Sequence, residues 1–192
     1  MRQNKGRRLA FLRDGIVLIA IFLLGILIAA KLDSDNMQRH AGAYYVIDGD
    51  TLALNGKRFR LLGIDAPELD QQCQRNGSDW PCGQAAKQAL ASLVSVGLEC
   101  RGNDMDRYQR LLVRCFLDVQ DVAAEMVRRG LAVRTEYFLF SDEESEAKAS
   151  GLGLWAGAFE APANWRKLRK TAEMDVPLSG FLAAVRHLLG WE

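Results

Sequence analysis

The sequence predicts an α+β domain of five strands and three helices, set behind an N-terminal transmembrane helix. Two observations predict the domain: five short alternating runs bounded by turn residues between positions 44 and 117, and three segments of helical period between 83 and 151. A third predicts the membrane segment, an uninterrupted apolar run from Gly15 to Ala30 behind a basic cluster. At 192 residues the chain has room for one compact domain with appendages. Hydrophobic residues at 49% and charged residues at 26% exclude disordered and collagen-like classes.

The apolar run, GIVLIAIFLLGILIAA, has sixteen residues. As a helix rising roughly 1.5 Å per residue it reaches ~24 Å, somewhat less than a bilayer core of about 30 Å. Arg2, Lys5, Arg7, Arg8 and Arg13 all precede the first acidic residue, Asp14. That bias keeps the N-terminus in the cytoplasm and sends the chain beyond Lys31 across the membrane. A cleaved secretory signal has the same layout, but Ala29-Ala30 is followed by Lys31-Leu32-Asp33, a poor cleavage signature. The expected order is therefore a cytoplasmic terminus (1–14), an uncleaved inner-membrane anchor (15–32), a linker (33–43) with His40 as a solvated residue, a periplasmic or extracytoplasmic domain (44–168) and a tail (169–192). Cleavage would instead release a secreted protein. In the tail, Phe181, Val185, Leu188 and Leu189 share one helical face, with His187 near the helix end. Such a face docks on the body of the protein or lies on a membrane or partner.

Within the domain, residues 44–47, 51–54 and 57–62 read as three antiparallel strands. Asn55-Gly56 between the last two is the strongest short hairpin signal. Residues 98–101 and 111–117 add two strands around a polar connection, 102–110. Helical spacing puts Ala86, Leu90, Leu93 and Val94 on one face of a helix over 83–96. Asp121 caps a second helix that turns Val122, Met126 and Val127 inward and ends at Gly130. Ser141-Asp142-Glu143-Glu144 has capping-box spacing at the start of a third, which stops near Gly151. Trp155, Phe159 and Trp165 are expected as core or lid aromatics.

Outside the N-terminal cluster, 20 basic residues face 24 acidic ones. Such a body does not hold nucleic acid by net charge, so a polyanion site here rests on local charge or a bound cation. Cys73, Cys82, Cys100 and Cys115 all fall on the exported side, where disulfides are the default. Four cysteines allow three pairings. Cys73 with Cys82 and Cys100 with Cys115 are favoured, the first closing a local loop and the second flanking a predicted hairpin. A zinc site is the rival, but the spacing lacks a close CxxC pair.

Two stretches carry candidate chemistry: Asp48-Gly49-Asp50-Thr51 at the first turn, and Arg60-Leu61-Leu62-Gly63-Ile64-Asp65-Ala66-Pro67-Glu68 at the end of the third strand. The hairpin sets Asp50 beside the strand that launches Asp65, so two carboxylates can converge on one hard cation. Alternation puts Phe59 and Leu61 on one face and Arg58 and Arg60 on the other. Asp106-Arg107-Tyr108-Gln109-Arg110 supplies further guanidinium groups on the connection between the last two strands. A guanidinium grips phosphate with a planar fork and keeps its charge.

With VIDGDTL, RLLGIDAPE, DRYQR, EMVRRGLA and EAKASGLGLW in this order, the chain from about Tyr44 to Trp165 resembles the staphylococcal nuclease (thermonuclease) family. The resemblance implies a five-stranded OB-fold β-barrel with three helices, in agreement with the element count. It implies calcium held by Asp50, Asp65 and the backbone carbonyl of Ala66, a position often threonine in the family. Arg60, Glu68 and Arg110 match the family's catalytic trio. Tyr108 matches a tyrosine near the nucleotide, with packing as the equal alternative, and Arg107 beside it is the other substrate-binding candidate. Gln109 stands where the family usually has glycine, so a positive φ there would strain the approach to Arg110.

The implied activity is calcium-dependent hydrolysis of DNA or RNA phosphodiesters with little sequence preference, leaving 3′-phosphate ends, with Glu68 assisting the attacking water. Nucleic acid and the membrane are the expected partners, with no obligate protein partner. The alternatives are a non-cleaving OB-fold binding module and an accessory protein of an envelope or polysaccharide assembly.

Overall fold

The computed structural model describes residues 4–35, 37–94 and 97–174. The chain forms two compact units that part between Gln38 and Arg39. The helix expected after Pro177 lies outside the described residues.

The first unit is helix α1, Asn4–Asp35, of 32 residues. Ile16, Leu18, Phe22 and Leu27 are all exposed on it, so the helix is apolar on every side rather than along one stripe. Among the described residues no helix is long and apolar enough to cross a membrane.

The second unit is α+β. Its strands are β1 (Arg39–Ala41), β2 (Tyr45–Val46), β3 (Thr51–Leu54), β4 (Lys57–Leu61), β5 (Ile64–Asp65), β6 (Cys73–Arg75), β7 (Ser78–Trp80), β8 (Leu98–Arg101), β9 (Leu111–Leu117), β10 (Gln120–Asp121) and β11 (Val133–Arg134). Its helices are α2 (Cys82–Leu93), α3 (Val122–Arg128), α4 (Ser141–Ala149) and α5 (Pro162–Met174), with a 3₁₀ turn over Gly153–Ala156. The main sheet runs β1-β8-β9-β4-β3-β2, with β10 on β9. All its pairs are antiparallel except β4 with β9, the parallel junction that joins the two meanders. Inside lie Leu52, Phe59, Leu61, Leu90, Leu98, Val113 and Met126, all at most 1% exposed.

The five expected strands correspond to β2, β3, β4, β8 and β9, and the three expected helices to α2, α3 and α4. The hairpin forms where Asn55 and Gly56 both take positive φ, 51° and 76°, as a tight primed turn requires. Its register sets Thr51 opposite Arg60 and Leu52 opposite Phe59. Asp121 accepts the N–H groups of Ala123 and Ala124 and so caps α3. Cys100 and Cys115 face each other across β8 and β9 and are bonded; Cys73 and Cys82 flank the β6–β7 hairpin and are bonded at a Cα separation of 5.7 Å.

Four features differ from expectation. Residues 39–41, inside the expected linker, are strand β1, paired to β8. His40 there is half-buried, its ring edge-on to Phe59 at 5.1 Å. Ser141 opens α4 without a capping box: the residue before it, Phe140, is in the left-handed region, and Glu144 is drawn instead to Arg134 and Lys148. The pairs β5–β11 and β6–β7 add small sheets that the alternation did not reveal. Finally, α5, which was not expected, begins within the aromatic segment, contains Trp165 and carries the boundary at 168 in its middle. Proline at its first position is the one start signal the sequence offered.

Candidate active site

The first turn positions Asp50. Its N–H bonds the Asp48 carboxylate at 3.1 Å, and Ile47 N–H bonds the Thr51 carbonyl at 2.9 Å. Gly49 must lack a side chain here, because a Cβ would sit 2.6 Å from the Cβ of Ala66 and 2.7 Å from that of Ala86. Asp50 is thereby pressed inward, 2% exposed. Its Oδ2 accepts the Ala66 N–H at 2.8 Å, and its Oδ1 accepts the Thr51 hydroxyl at 3.0 Å together with the Arg60 guanidinium.

Arg60 lies in β4, between Thr51 of β3 on one side and Leu112 of β9 on the other. Its Nη1 meets Asp50 and its Nη2 meets Asp65 Oδ1 at 2.6 Å, so one guanidinium joins both buried carboxylates. Asp65, 4% exposed, is fixed by the pairing of β5 with β11. Burial disfavours the charge on Arg60, but Asp50 and Asp65 outweigh it and raise its pKa further.

Beyond Ala66 the chain turns through a loop held by Gln71, whose side chain is fully buried. Gln71 accepts the Glu68 N–H at 3.2 Å and donates to the Glu160 carbonyl at 2.7 Å, while its own N–H bonds the Glu68 carbonyl at 2.8 Å. A Cβ on Gly83 would overlap the Glu68 carbonyl oxygen, so α2 packs directly on this loop. Arg166 of α5 reaches the same place: Nη1 lies 2.8 Å from Glu68 Oε1 and 3.0 Å from Asp65 Oδ1, and Nη2 lies 2.9 Å from Asp65 Oδ2. These bonds to Asp65, and then to Glu68, raise the Arg166 pKa despite partial burial.

Arg110 is set by Asp106. The carboxylate accepts the Arg110 N–H at 2.9 Å, the Tyr108 N–H at 2.8 Å and the Arg110 Nε–H at 2.7 Å. Burial opposes this charge, yet the Arg110 bonds prevail and hold the Asp106 carboxyl below its usual range. Gln109 does take positive φ, 60°, which costs about 1–2 kcal/mol in a residue with a side chain. Three bonds to Asp106 hold the turn in that conformation. Tyr108 is exposed, and the guanidinium groups of Arg107 and Arg110 lie 4.9 and 5.4 Å from its ring centre.

Asp50, Arg60, Ala66, Glu68, Arg107, Tyr108 and Arg110 thus line one cleft of about 490 Å³; Asp65 is not part of that lining but is bonded to Arg60 and Arg166, which are. Arg166 lines it too, and sequence reading missed it: nothing local marks a partner 98 positions from Glu68. Among the described residues, no three His, Cys, Asp or Glu side chains gather closely enough to hold a metal ion by themselves. Two carboxylates and a carbonyl, the set expected for calcium, remain. Burial pushes the Asp50 carboxyl up from 3.8 to about 7, with Arg60 and the Ala66 N–H opposing and Asp48 and Asp65 adding to it. Asp50 and Asp65 supply carboxylate oxygens and Ala66 a backbone carbonyl, and calcium accepts such oxygens flexibly, so the donor types fit it.

The same shift has a stability sign. Folded Asp50 holds its proton up to about pH 7, whereas the unfolded carboxyl releases it near 3.8. The native state therefore binds more protons between these values, and the contribution of Asp50 is full below about pH 4 and lost as pH rises through about 7. Glu125 and Glu144, where hydrogen bonds outweigh burial and lower the pKa, act only at the acid end of that range. In chelator, wild type is expected to lose thermal stability from pH 5 to pH 8 relative to Asp50→Asn. Parallel melting curves for the two proteins across that range would contradict it.

The family described as "Staphylococcal nuclease homologue" matches residues 58–157. The chain is 33% identical over 142 residues to "Succinoglycan biosynthesis protein ExoI" of Rhizobium meliloti (strain 1021), covering 69% of this chain and 74% of that protein. It is 31% identical over 168 residues to an "Uncharacterized endonuclease" of Haemophilus influenzae, covering 81% of this chain and 86% of that one. "Endonuclease YncB" of Bacillus subtilis is 33% identical over 126 residues, covering 57% of this chain and 58% of its own length. Matched through β4, the Glu68 loop and the Arg110 turn, and related along most of its length to these proteins, the chain belongs to the staphylococcal nuclease homologue family.

Proposed function

We propose that the protein is a calcium-dependent endonuclease that hydrolyses DNA or RNA phosphodiesters with little sequence preference and leaves 3′-phosphate ends. The observation that carries this reading is the Arg60 guanidinium joined to two buried carboxylates, Asp50 and Asp65, in one cleft with Glu68 and Arg110. Asp50, Asp65 and the Ala66 carbonyl would hold the calcium, which when bound supplies positive charge beside the phosphate oxygens. Arg60 and Arg110 line the cleft and would supply positive charge to those oxygens as water attacks, each held in place by the carboxylates bonded to part of its guanidinium. Glu68 takes the proton of that water as its oxygen bonds to phosphorus; the bond from phosphorus to the 5′-oxygen breaks, the departing oxygen takes a proton from solvent, and Glu68 returns its own to solvent. Tyr108, exposed at the rim, offers a ring for a base to stack on, and Arg107 adds a phosphate contact. Because guanidinium groups on phosphate carry no sequence information, little preference results.

The same proposal places this unit outside the cytoplasm, tethered by α1. Basic residues ahead of Gly15, the apolar surface of α1 on all sides, and two disulfides support it. A second reading has one observation in its favour, the relative named for succinoglycan biosynthesis, which points to an accessory role in polysaccharide assembly.

The test uses the full chain, purified in detergent under oxidising conditions, with single-stranded DNA and RNA in calcium or in chelator. Chelation is expected to lower the cleavage rate by roughly 10²-fold or more, as loss of the charge opposite the transition state should. Binding without calcium-dependent cleavage would favour a binding module, and neither activity would favour the accessory role.

A further inference from the structure

Resting on the reading just given, we propose that Arg166 is a positioning residue that competes with the divalent cation for Asp65 and so sets the cation concentration at which the site loads. The Arg166 fork covers both oxygens of Asp65, at 3.0 and 2.9 Å. Oδ1 of Asp65 also accepts Arg60 Nη2 at 2.6 Å, so each oxygen of this carboxylate already faces an arginine. The same Arg166 Nη1 bridges to Glu68 at 2.8 Å, tying the carboxylate that would bind metal to the one that would handle water.

A guanidinium and a divalent cation drawing on the same lone pairs repel each other and weaken each other's bonds. Loading therefore requires one arginine to withdraw from Asp65, and the two candidates are unequal. The Arg60 side chain is 15% exposed and rooted between two strands, with a second bond to Asp50. Arg166 is 39% exposed on α5, a helix whose described side chains are buried only at Pro162. Arg166 yields, and its bond to Asp65 is subtracted from the cation's affinity, a coupling that acts equally in both directions. While the site is empty of cation, Arg166 keeps Asp65 neutralised and Glu68 facing the cleft.

The experiment is isothermal titration of calcium chloride into the full chain, stripped of metal in detergent at pH 8. Arg166→Gln is expected to bind calcium about tenfold more tightly than wild type, ~1.4 kcal/mol. Arg166→Lys, which keeps the charge and loses the fork, falls between them. Arg169→Gln, whose arginine pairs with Asp70 away from the cleft, binds as wild type does. Calcium also raises the melting temperature of Arg166→Gln by more than that of wild type, a response that a purely structural tie would not give. Unchanged or weaker calcium affinity in Arg166→Gln, with calcium bound by wild type, overturns the competition and leaves the nuclease reading standing. No calcium binding by wild type overturns both. Should Arg166→Gln fail to fold, Arg166→Lys decides, since affinity no tighter than wild type overturns the proposal.

Discussion

Replacing Glu68 by alanine is expected to lower kcat on single-stranded DNA by about 10²–10⁴-fold while KM changes little. The carboxylate faces the cleft at the mouth of the Gln71-held loop, and its only described partner is Arg166. It contributes little to the fold and would contribute its proton affinity to the reaction. Glu68→Gln separates the possible roles. An amide keeps the shape and loses the basicity, so both variants should fail alike and both should recover rate as pH rises and hydroxide replaces the base. Single-turnover rates between pH 7 and pH 10 make the comparison. Losses below about tenfold in both variants would remove Glu68 from the chemistry.

Arg60→Ala should do damage of two kinds. On the proposed reading, in which Arg60 lies beside the phosphate, its loss is expected to take about 10²–10³-fold from kcat. Its removal also leaves Asp50 without its guanidinium in a site 2% exposed, and at pH 8, where the carboxyl is ionised, breaking such a buried pair costs about 3–5 kcal/mol. Arg60→Lys keeps the charge but cannot span from Asp50 to Asp65, so it should restore part of the stability and little of the rate. Denaturant titration in chelator at pH 8 measures the loss of stability and single-turnover cleavage in calcium the loss of rate. Normal stability of Arg60→Ala in chelator would show that the two carboxylates do not depend on that side chain.

Most of the frame was legible because its causes are local. Asn55-Gly56 fixed a turn, the turn fixed the register of Arg60 against Thr51, and alternation then decided that Phe59 and Leu61 face the core. Asp50, Asp65, Glu68 and Arg110 stood in motifs, and the strands on either side of them delivered Asp50, Glu68 and Arg110 to one cleft with Asp65 bonded to two of its arginines. What escaped notice has no period to detect. β1, β5, β10 and β11 are two or three residues long, too short for alternation to mean anything, and exist because a neighbouring strand edge needs partners. Arg166 sits in WRKLRK, a polar run that reads as a solvated face, and only the packing of α5 beside the Glu68 loop gives it a role. The strain at Gln109 was foreseeable. The three bonds that Asp106 accepts, two from Arg110 and one from Tyr108, which hold the turn in spite of it, were not.

Asp65 is served by one arginine woven into the main sheet and another carried on a surface helix. A lineage that altered the first would have to rebuild the sheet around it. The second is adjustable by changes along an exposed helix that leave the interior untouched. On the proposed reading, chains with the same sheet would thus have a way to diverge in metal affinity while their folding remains the same.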